Sequence, residues 1–314
     1  MVMKRSLSAF SMMITSAMVA ACGQGVAPMD SGAVDDVASL SDSAVLVDAS
    51  AMADASASQP DASVADGTSA ADAGLGRFSF FVTSLRALQE LSGNRQGFGG
   101  DLRFGETGPN AGLRGADKIC TAIAERSMPG SGAKVWRAFL SAANDGSGSA
   151  VHAIDRVGEG PWYDRLGRVV ATNRAGLQAT RPVGADPTIA NDLPNEDGIP
   201  NQRPDPSQPA VDNHHMMTGS NSMGQLYSAT STCLDWTSAV ENRTLTGQPR
   251  MGLSWPRAGG RPGMDSSANW INSISESGCG RGVNLLQMGG PNLAMMNVGS
   301  GGGYGGFYCF ALSP

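Results

Sequence analysis

Between Gly23 and Gly76 the chain has no lysine, no arginine, no glutamate and no aromatic residue. A segment so poor in large apolar side chains cannot bury enough surface to offset the entropy of ordering, so a folded domain is excluded there and a disordered tether is expected over 22–76. Nine aspartates fill it instead, set among Ala, Ser, Val and Gly, and Asp30, Asp36, Asp42, Asp48 and Asp54 recur every six residues. That interval matches neither a helical face nor a strand and reads as low-complexity spacing. A flexible chain of this length has a root-mean-square span of about 40 Å, extended further by repulsion among the carboxylates.

Other shortages exclude whole classes of function. No segment is long and apolar enough to cross a bilayer as a helix. Of the −6 net charge, Lys4 and Arg5 supply +2 and the tether −9, so residues 77–314 carry +1. The domain therefore lacks the basic field that nucleic-acid binding needs, and the acidic balance of the whole chain says nothing about its ligand. Only three histidines occur, without an HExxH pair, and no serine sits in a GxSxG elbow. The run 298–306, VGSGGGYGG, has no phosphate-binding lysine and reads as a tight glycine turn against the last strand.

What is present begins with a charged start, Lys4 and Arg5, followed by an uncharged, largely apolar stretch from Leu7 to Ala21. This is the layout of a secretory signal peptide, 1–21. Val19-Ala20-Ala21-Cys22 resembles the lipobox of bacterial lipoproteins, which implies acylation of Cys22 and attachment to a membrane through its acyl chains. Gly23 after that cysteine implies the outer membrane, at the cell surface or on the periplasmic face.

Residues 77–314 hold all five tryptophans and four of the five cysteines and are long enough for one sizeable domain. Cys120, Cys233, Cys279 and Cys309 form an even set in an exported chain, so two disulfides are expected, with three pairings open. None lies in a CxxC or CxxH arrangement, which argues against zinc.

FSFFVT (78–83) suits a buried strand, and residues 114–127 place Ala116, Ile119, Cys120, Ile123 and Ala124 at helical spacing before a Pro129-Gly130 stop. VWRAFLS (135–141) reads as a strand, AVHAIDRVG as a short helix or turn, and PWYDRLGRVVAT as a hairpin with Gly167 near its tip. From Arg181 to Ser222, seven prolines and many Asn and Asp mark a long irregular excursion. Regular structure is expected to resume at GQLYSATSTCLDWTS and to end in the strand GFYCFAL.

GADKIC, WRAFLS, GPWYDRLGRVVA, the TGS…TCLDWTS stretch and the terminal YCFAL together resemble the endostatin-like and DUF1554-type bacterial domains of the C-type lectin-like fold, over most of 78–314. The resemblance implies an α+β, loop-rich C-type lectin-like domain behind the disordered tether. It also implies that Cys120 pairs with Cys309 and Cys233 with Cys279. Endostatin-like lipoproteins include surface adhesins, so a binding module is implied. The EPN or QPD and WND triplets of calcium-dependent sugar-binding lectins do not occur, the nearest string being Gln202-Arg203-Pro204-Asp205. That mode of sugar binding is not implied.

Candidate sites cluster in the excursion. Asn191, Asp192, Asn195, Asp197, Asp205, Asp212 and Asn213 offer oxygen ligands for calcium, against plain Asx-turn chemistry as the competing use. Asp212-Asn213-His214-His215 is the one local cluster with transition-metal or acid–base character. Trp255 and Trp270, in Gly-, Pro- and Ser-rich surroundings, are the tryptophans expected at the surface for aromatic contacts. No catalytic constellation is visible. The reading is a membrane-anchored, exported lipoprotein whose lectin-like domain binds an envelope or extracellular ligand, glycan or protein. The alternatives are an enzyme acting on envelope or extracellular polymers, metal-assisted through the two histidines, and a purely structural envelope protein.

Overall fold

The structure, a computed structural model, describes residues 76–179, 182–256, 270–286 and 289–314. The expected signal peptide, the lipidated Cys22 and the tether to residue 75 lie outside the described residues.

The described residues form a loop-rich α+β domain around a mixed sheet. Its elements are β1 (Phe80–Val82), α1 (Leu85–Ser92), α2 (Ala111–Ser127), β2 (Trp136–Ala138), β3 (Trp162–Tyr163), β4 (Val169–Ala171), α3 (Arg174–Leu177), β5 (His215–Met217), α4 (Arg243–Thr246), β6 (Arg250–Leu253), β7 (Ile274–Ser275) and β8 (Gly303–Ala311). Strand β8 is the spine. All nine of its residues are buried, as a strand covered on both faces must be. It pairs antiparallel with β1 and with β2, bringing both Phe81 and Ala138 opposite Cys309, and parallel with β5 along its first half. The sheet continues outward through β6 and β7, while β3 and β4 form a separate hairpin.

Helix α2 forms where its apolar residues repeat at helical spacing, and it buries Leu113, Ala116, Ile119, Cys120, Ile123 and Ala124. It lies close enough to its neighbours that a Cβ on Gly112 would sit 2.2 Å from the carbonyl oxygen of Asp235. Cys120 is bonded to Cys309 and Cys233 to Cys279, each pair with Cα atoms 5.6 Å apart. The first bond joins α2 to the spine strand. Asp117, on the buried face of α2, completes that junction by accepting from the Ala138 amide at 2.9 Å and from both Arg137 and Arg156. Phe78, Phe80, Phe81, Trp136, Phe139, Trp162, Trp270, Tyr308 and Phe310 fill the core, with rings in edge and tilted contacts such as Trp162 on Phe310 at 5.4 Å.

Several expectations from sequence are corrected. The excursion 181–222 is not irregular throughout, because His215–Met217 is a buried strand held between β8 and β6. Three residues are too short to show a period, and neighbours on both edges supply the stability their own sequence lacks. Trp270 is not at the surface: it is fully buried, its Nε1 donates to the Leu177 carbonyl at 2.6 Å, and its ring packs on Phe139 and Tyr308. Trp255 is half-buried. The expected glycine turn is present over 298–302, but Gly303, Gly305 and Gly306 stand inside β8, where Met216 of the neighbouring strand approaches so closely that a Cβ on Gly306 would meet its sulfur at 2.8 Å.

The stretch expected to resume regular structure contains instead a left-handed turn, with φ of 50°, 56°, 54° and 64° at Cys233, Leu234, Asp235 and Trp236. Each such residue costs about 1–2 kcal/mol. The Cys233–Cys279 bond, the Trp236 Nε1 donation to Ser141 O at 2.7 Å and the Asp235 acceptance from the Ala143 amide at 2.5 Å hold it.

Candidate functional site

Helix α1 begins where Ser84 caps it, the hydroxyl accepting from the Ala87 amide at 3.1 Å, and it ends on Gly93 with φ of 63°. The same serine fixes the excursion to the helix. Its amide and hydroxyl donate to the two carboxylate oxygens of Glu196 at 3.0 and 2.5 Å, while the Val82 amide donates to the Pro194 carbonyl at 2.9 Å. A carboxylate at a helix N-terminus faces unpaired amides and the positive end of the dipole. Burial nevertheless pushes the Glu196 carboxyl above its ordinary value, outweighing the hydrogen bonds from Ser84.

Beyond Glu196 the chain makes two tight folds. Asn195 Oδ1 accepts from the amides of Asp197 and Ile199, and Asp205 accepts from the amide and hydroxyl of Ser207 and from Gln208. Both are Asx-turn arrangements. Together with α1 and Leu285 they enclose a cavity of about 350 Å³, lined by Ser84, Leu85, Arg86 and Gln89 on the helix side and by Asn195, Asp197, Ile199, Asn201, Pro204, Asp205, Gln208, Val211 and Asn213 on the other. That volume lies in the range of about 300–1,000 Å³ typical of small-molecule sites. Arg86 bridges the rim to Asp197 at 2.7 Å.

The floor is built from amides. Asn201 accepts from the Tyr304 hydroxyl at 3.1 Å and donates to the Asn213 carbonyl at 3.2 Å. Asn213 is only 5% exposed, and its side-chain Oδ1, shielded from solvent, has no hydrogen-bond partner among the described residues. A buried acceptor left unmatched costs about 1–3 kcal/mol.

The candidate ligand residues are therefore partly gathered and partly dispersed. Asn195, Asp197, Asp205 and Asn213 line the cavity, whereas Asp192 and Asp212 do not. Asp192 accepts from the Gln202 amide at 2.9 Å, and burial lifts its carboxyl to about 6. Asp212 pairs with His214 and accepts from Gln202 at 3.2 Å. Among the described residues no group of three or more His, Cys, Asp and Glu side chains converges in a way that could hold a metal.

The two histidines stand side by side, ring centres 4.0 Å apart, but each Nδ1 faces its own carboxylate. His214 meets Asp212, and His215 meets Glu276 at 2.6 Å. Glu276 is fully buried and also accepts from the Ser300 hydroxyl and the Gly301 amide. Burial first, then the neighbouring His215, drives the His214 imidazole down to about 4. His214 is thus neutral at pH 7 despite its carboxylate partner, and its contact with Asp212 is a neutral N–H donation to a carboxylate rather than an ion pair.

The helix side of the cavity was not foreseen from sequence, although the signals were there. Ser84 stands as a cap before Leu85, Leu88 and Leu91 at helical spacing, and Gly93 follows as a stop. Asn201 and Leu285 carried no such local signal. In comparisons with protein-family models and with curated proteins, the chain matches none.

Proposed function

We propose that this chain is an exported lipoprotein, anchored through acylated Cys22 on a disordered tether, whose domain 77–314 has the C-type lectin-like, endostatin-like arrangement and binds an envelope or extracellular ligand, glycan or protein. The observation that carries the binding role is the cavity of about 350 Å³ between α1 and segment 195–213. Two disulfides in one domain favour an oxidising compartment. The tie from the long helix to the last strand, with a second bond stapling the loops, is the frame that the lectin-like resemblance implies. The histidines favour a structural use over a polymer-degrading one, since both are buried and each Nδ1 is committed to a carboxylate.

Two measurements test the reading. Metabolic labelling with a fatty acid should mark the wild-type protein and leave a Cys22→Ser variant unmarked. An Ile199→Trp variant, which fills the cavity from its half-exposed rim, should fail to retain the extracellular-matrix proteins or envelope glycans that the wild-type domain retains. Unlabelled wild-type protein would overturn the anchor, and equal retention by both domains would overturn the cavity as the binding site.

A further inference from the structure

We propose that the Cys233–Cys279 bond is a redox-sensitive latch: a dithiol reductant opens it before the Cys120–Cys309 bond, and its opening releases the left-handed turn while the helix-on-spine frame stays closed. Neither cysteine lines the cavity.

The turn sets this bond apart. Cys233, Leu234, Asp235 and Trp236 follow one another at positive φ, whereas elsewhere among the described residues a non-glycine adopts positive φ only singly, at Phe104, Asn110 and Met296. The Cβ crowds the carbonyl oxygen in that conformation, so such backbone persists only where its surroundings over-determine it. The bond is one of those surroundings, because it fixes the first of the four residues to Cys279. Breaking it lets the turn relax, which favours the reduced form and shifts the equilibrium toward thiols. The backbone at Cys120 and Cys309 is ordinary helix and strand, so reduction there releases no such strain.

The reduced state is also provided for. The carbonyl oxygens of Thr246 and Gly247 stand 3.4 and 3.6 Å from Cys279 Sγ, placed to accept from its S–H once the thiol forms. Both cysteines are buried, but Leu234 beside Cys233 is 53% exposed, so local opening of a surface turn uncovers the bond. In the exchange, a thiolate of the reductant attacks one sulfur, the Sγ–Sγ bond breaks as a mixed disulfide forms, and the second thiol displaces the protein sulfur. Two electrons and two protons reach Cys233 and Cys279, and the reductant leaves as its disulfide. The segments freed are those the bond gathers. The Gly100 amide donates to Cys279 O and the Leu102 amide to Trp236 O, each at 2.9 Å, and a Cβ on Gly100 would meet Cys233 Sγ at 2.6 Å.

To test the latch, the full chain in detergent is equilibrated with graded ratios of reduced to oxidised dithiothreitol. Free thiols are blocked with one alkylating reagent, remaining bonds are reduced and blocked with a heavier one, and the four domain cysteines are mapped by mass. Cys233 and Cys279 should become free at a ratio at least about tenfold lower than Cys120 and Cys309. At that ratio amide exchange should rise at 100–102 and 233–238 and stay low along β8. Leu234→Gly, at an exposed position whose φ of 56° glycine adopts without strain, removes part of the strain and touches neither sulfur. It should raise the ratio needed to open Cys233–Cys279 about two- to fivefold and leave that for Cys120–Cys309 unchanged. Opening of both bonds at one ratio, or of Cys120–Cys309 first, overturns the proposal. An unshifted ratio in Leu234→Gly does so too, since the turn would then put no strain on the bond. Reduction of Cys233–Cys279 with amide exchange at the turn unchanged is the third result that overturns it.

Discussion

The two disulfides sit in regions that are built on different principles. Around Cys120–Cys309 the structure is a helix on a strand spine with aromatic rings between them, and one ion-paired carboxylate, Asp117, buried at the seam. Around Cys233–Cys279 and the excursion, buried apolar side chains such as Met216 and Trp236 are interleaved with many buried polar ones, among them Asn201, Asn213, His214, His215, Asn272, Glu276 and Ser300. Apolar packing is non-directional and tolerates small shifts. A buried polar group is worth having only while every partner is in place. The polar region should therefore be the more brittle one, and the more sensitive to pH.

Removing the disulfides gives the largest effects and sharpens the comparison. The loop closed by Cys120–Cys309 has a sequence separation of 189 and that closed by Cys233–Cys279 one of 46. Chain entropy alone then assigns about 5 and about 4 kcal/mol to them. The left-handed turn at Cys233–Trp236 depends on the second bond as one of its few restraints, so paired Cys→Ala substitution there should lose the turn locally as well. Denaturant titration of the two double variants, with amide exchange at residues 233–237, measures both. Equal amide protection with and without the Cys233–Cys279 bond would show that the turn is held by Trp236 and Asp235 instead.

Next comes Glu276, whose carboxylate serves His215, Ser300 and Gly301 at once. Glu276→Ala should cost about 3–4 kcal/mol by stranding three donors in the interior. An Ile123→Val substitution in the aromatic region, which removes only buried apolar carbon, should cost about 0.5–1.5 kcal/mol. Comparable losses for the two in thermal unfolding would erase the distinction between the regions.

How much of this was legible in the sequence follows the same division. The aromatic region announced itself: FSFFVT gave β1, the helical spacing of Ile119, Cys120 and Ile123 gave α2, and Gly167 marked the β3–β4 hairpin. Periodicity reports a single apolar face, and these elements have one. The polar region has none. Its form is decided by bonds between residues far apart in the chain, such as Glu276 with His215 or Arg250 with Asn272. No local window contains such a pair, so β5 was hidden and Trp270 was misplaced by its glycine-rich surroundings. The cavity was half legible. Asn195, Asp197, Asp205 and Asn213 stood out as a cluster of oxygen donors, but their wall opposite, α1, lies more than a hundred residues earlier.

The pH dependence of stability separates the regions on a finer scale. His214 is held near 4 in the fold against 6.5 in the open chain. Between those values the unfolded chain binds a proton that the folded one refuses, so stability present above pH 6.5 is lost as pH falls toward 4, by about 3 kcal/mol in total. Asp192 runs the other way. Its carboxyl is raised from 3.8 to about 6, so its contribution is full below 3.8 and is lost as pH rises through 6. The two oppose each other between pH 4 and 6 and flatten the profile there. Asp192→Asn keeps an oxygen to accept from the Gln202 amide and removes the buried charge. The variant should gain on the wild type by about 2–3 kcal/mol between pH 4.5 and 7.5, as read from unfolding midpoints across that range. A constant difference across the range would show that Asp192 does not titrate in it.

Arg86→Met should have the smallest effect on stability. The Arg86–Asp197 pair is on the surface, where such pairs are worth about 0–1 kcal/mol, so the unfolding midpoint should barely move, and the difference should shrink further as salt rises because both charges are exposed. A loss above about 2 kcal/mol would show that this ion pair, and not the buried Ser84–Glu196 contact, holds segment 195–199 against α1.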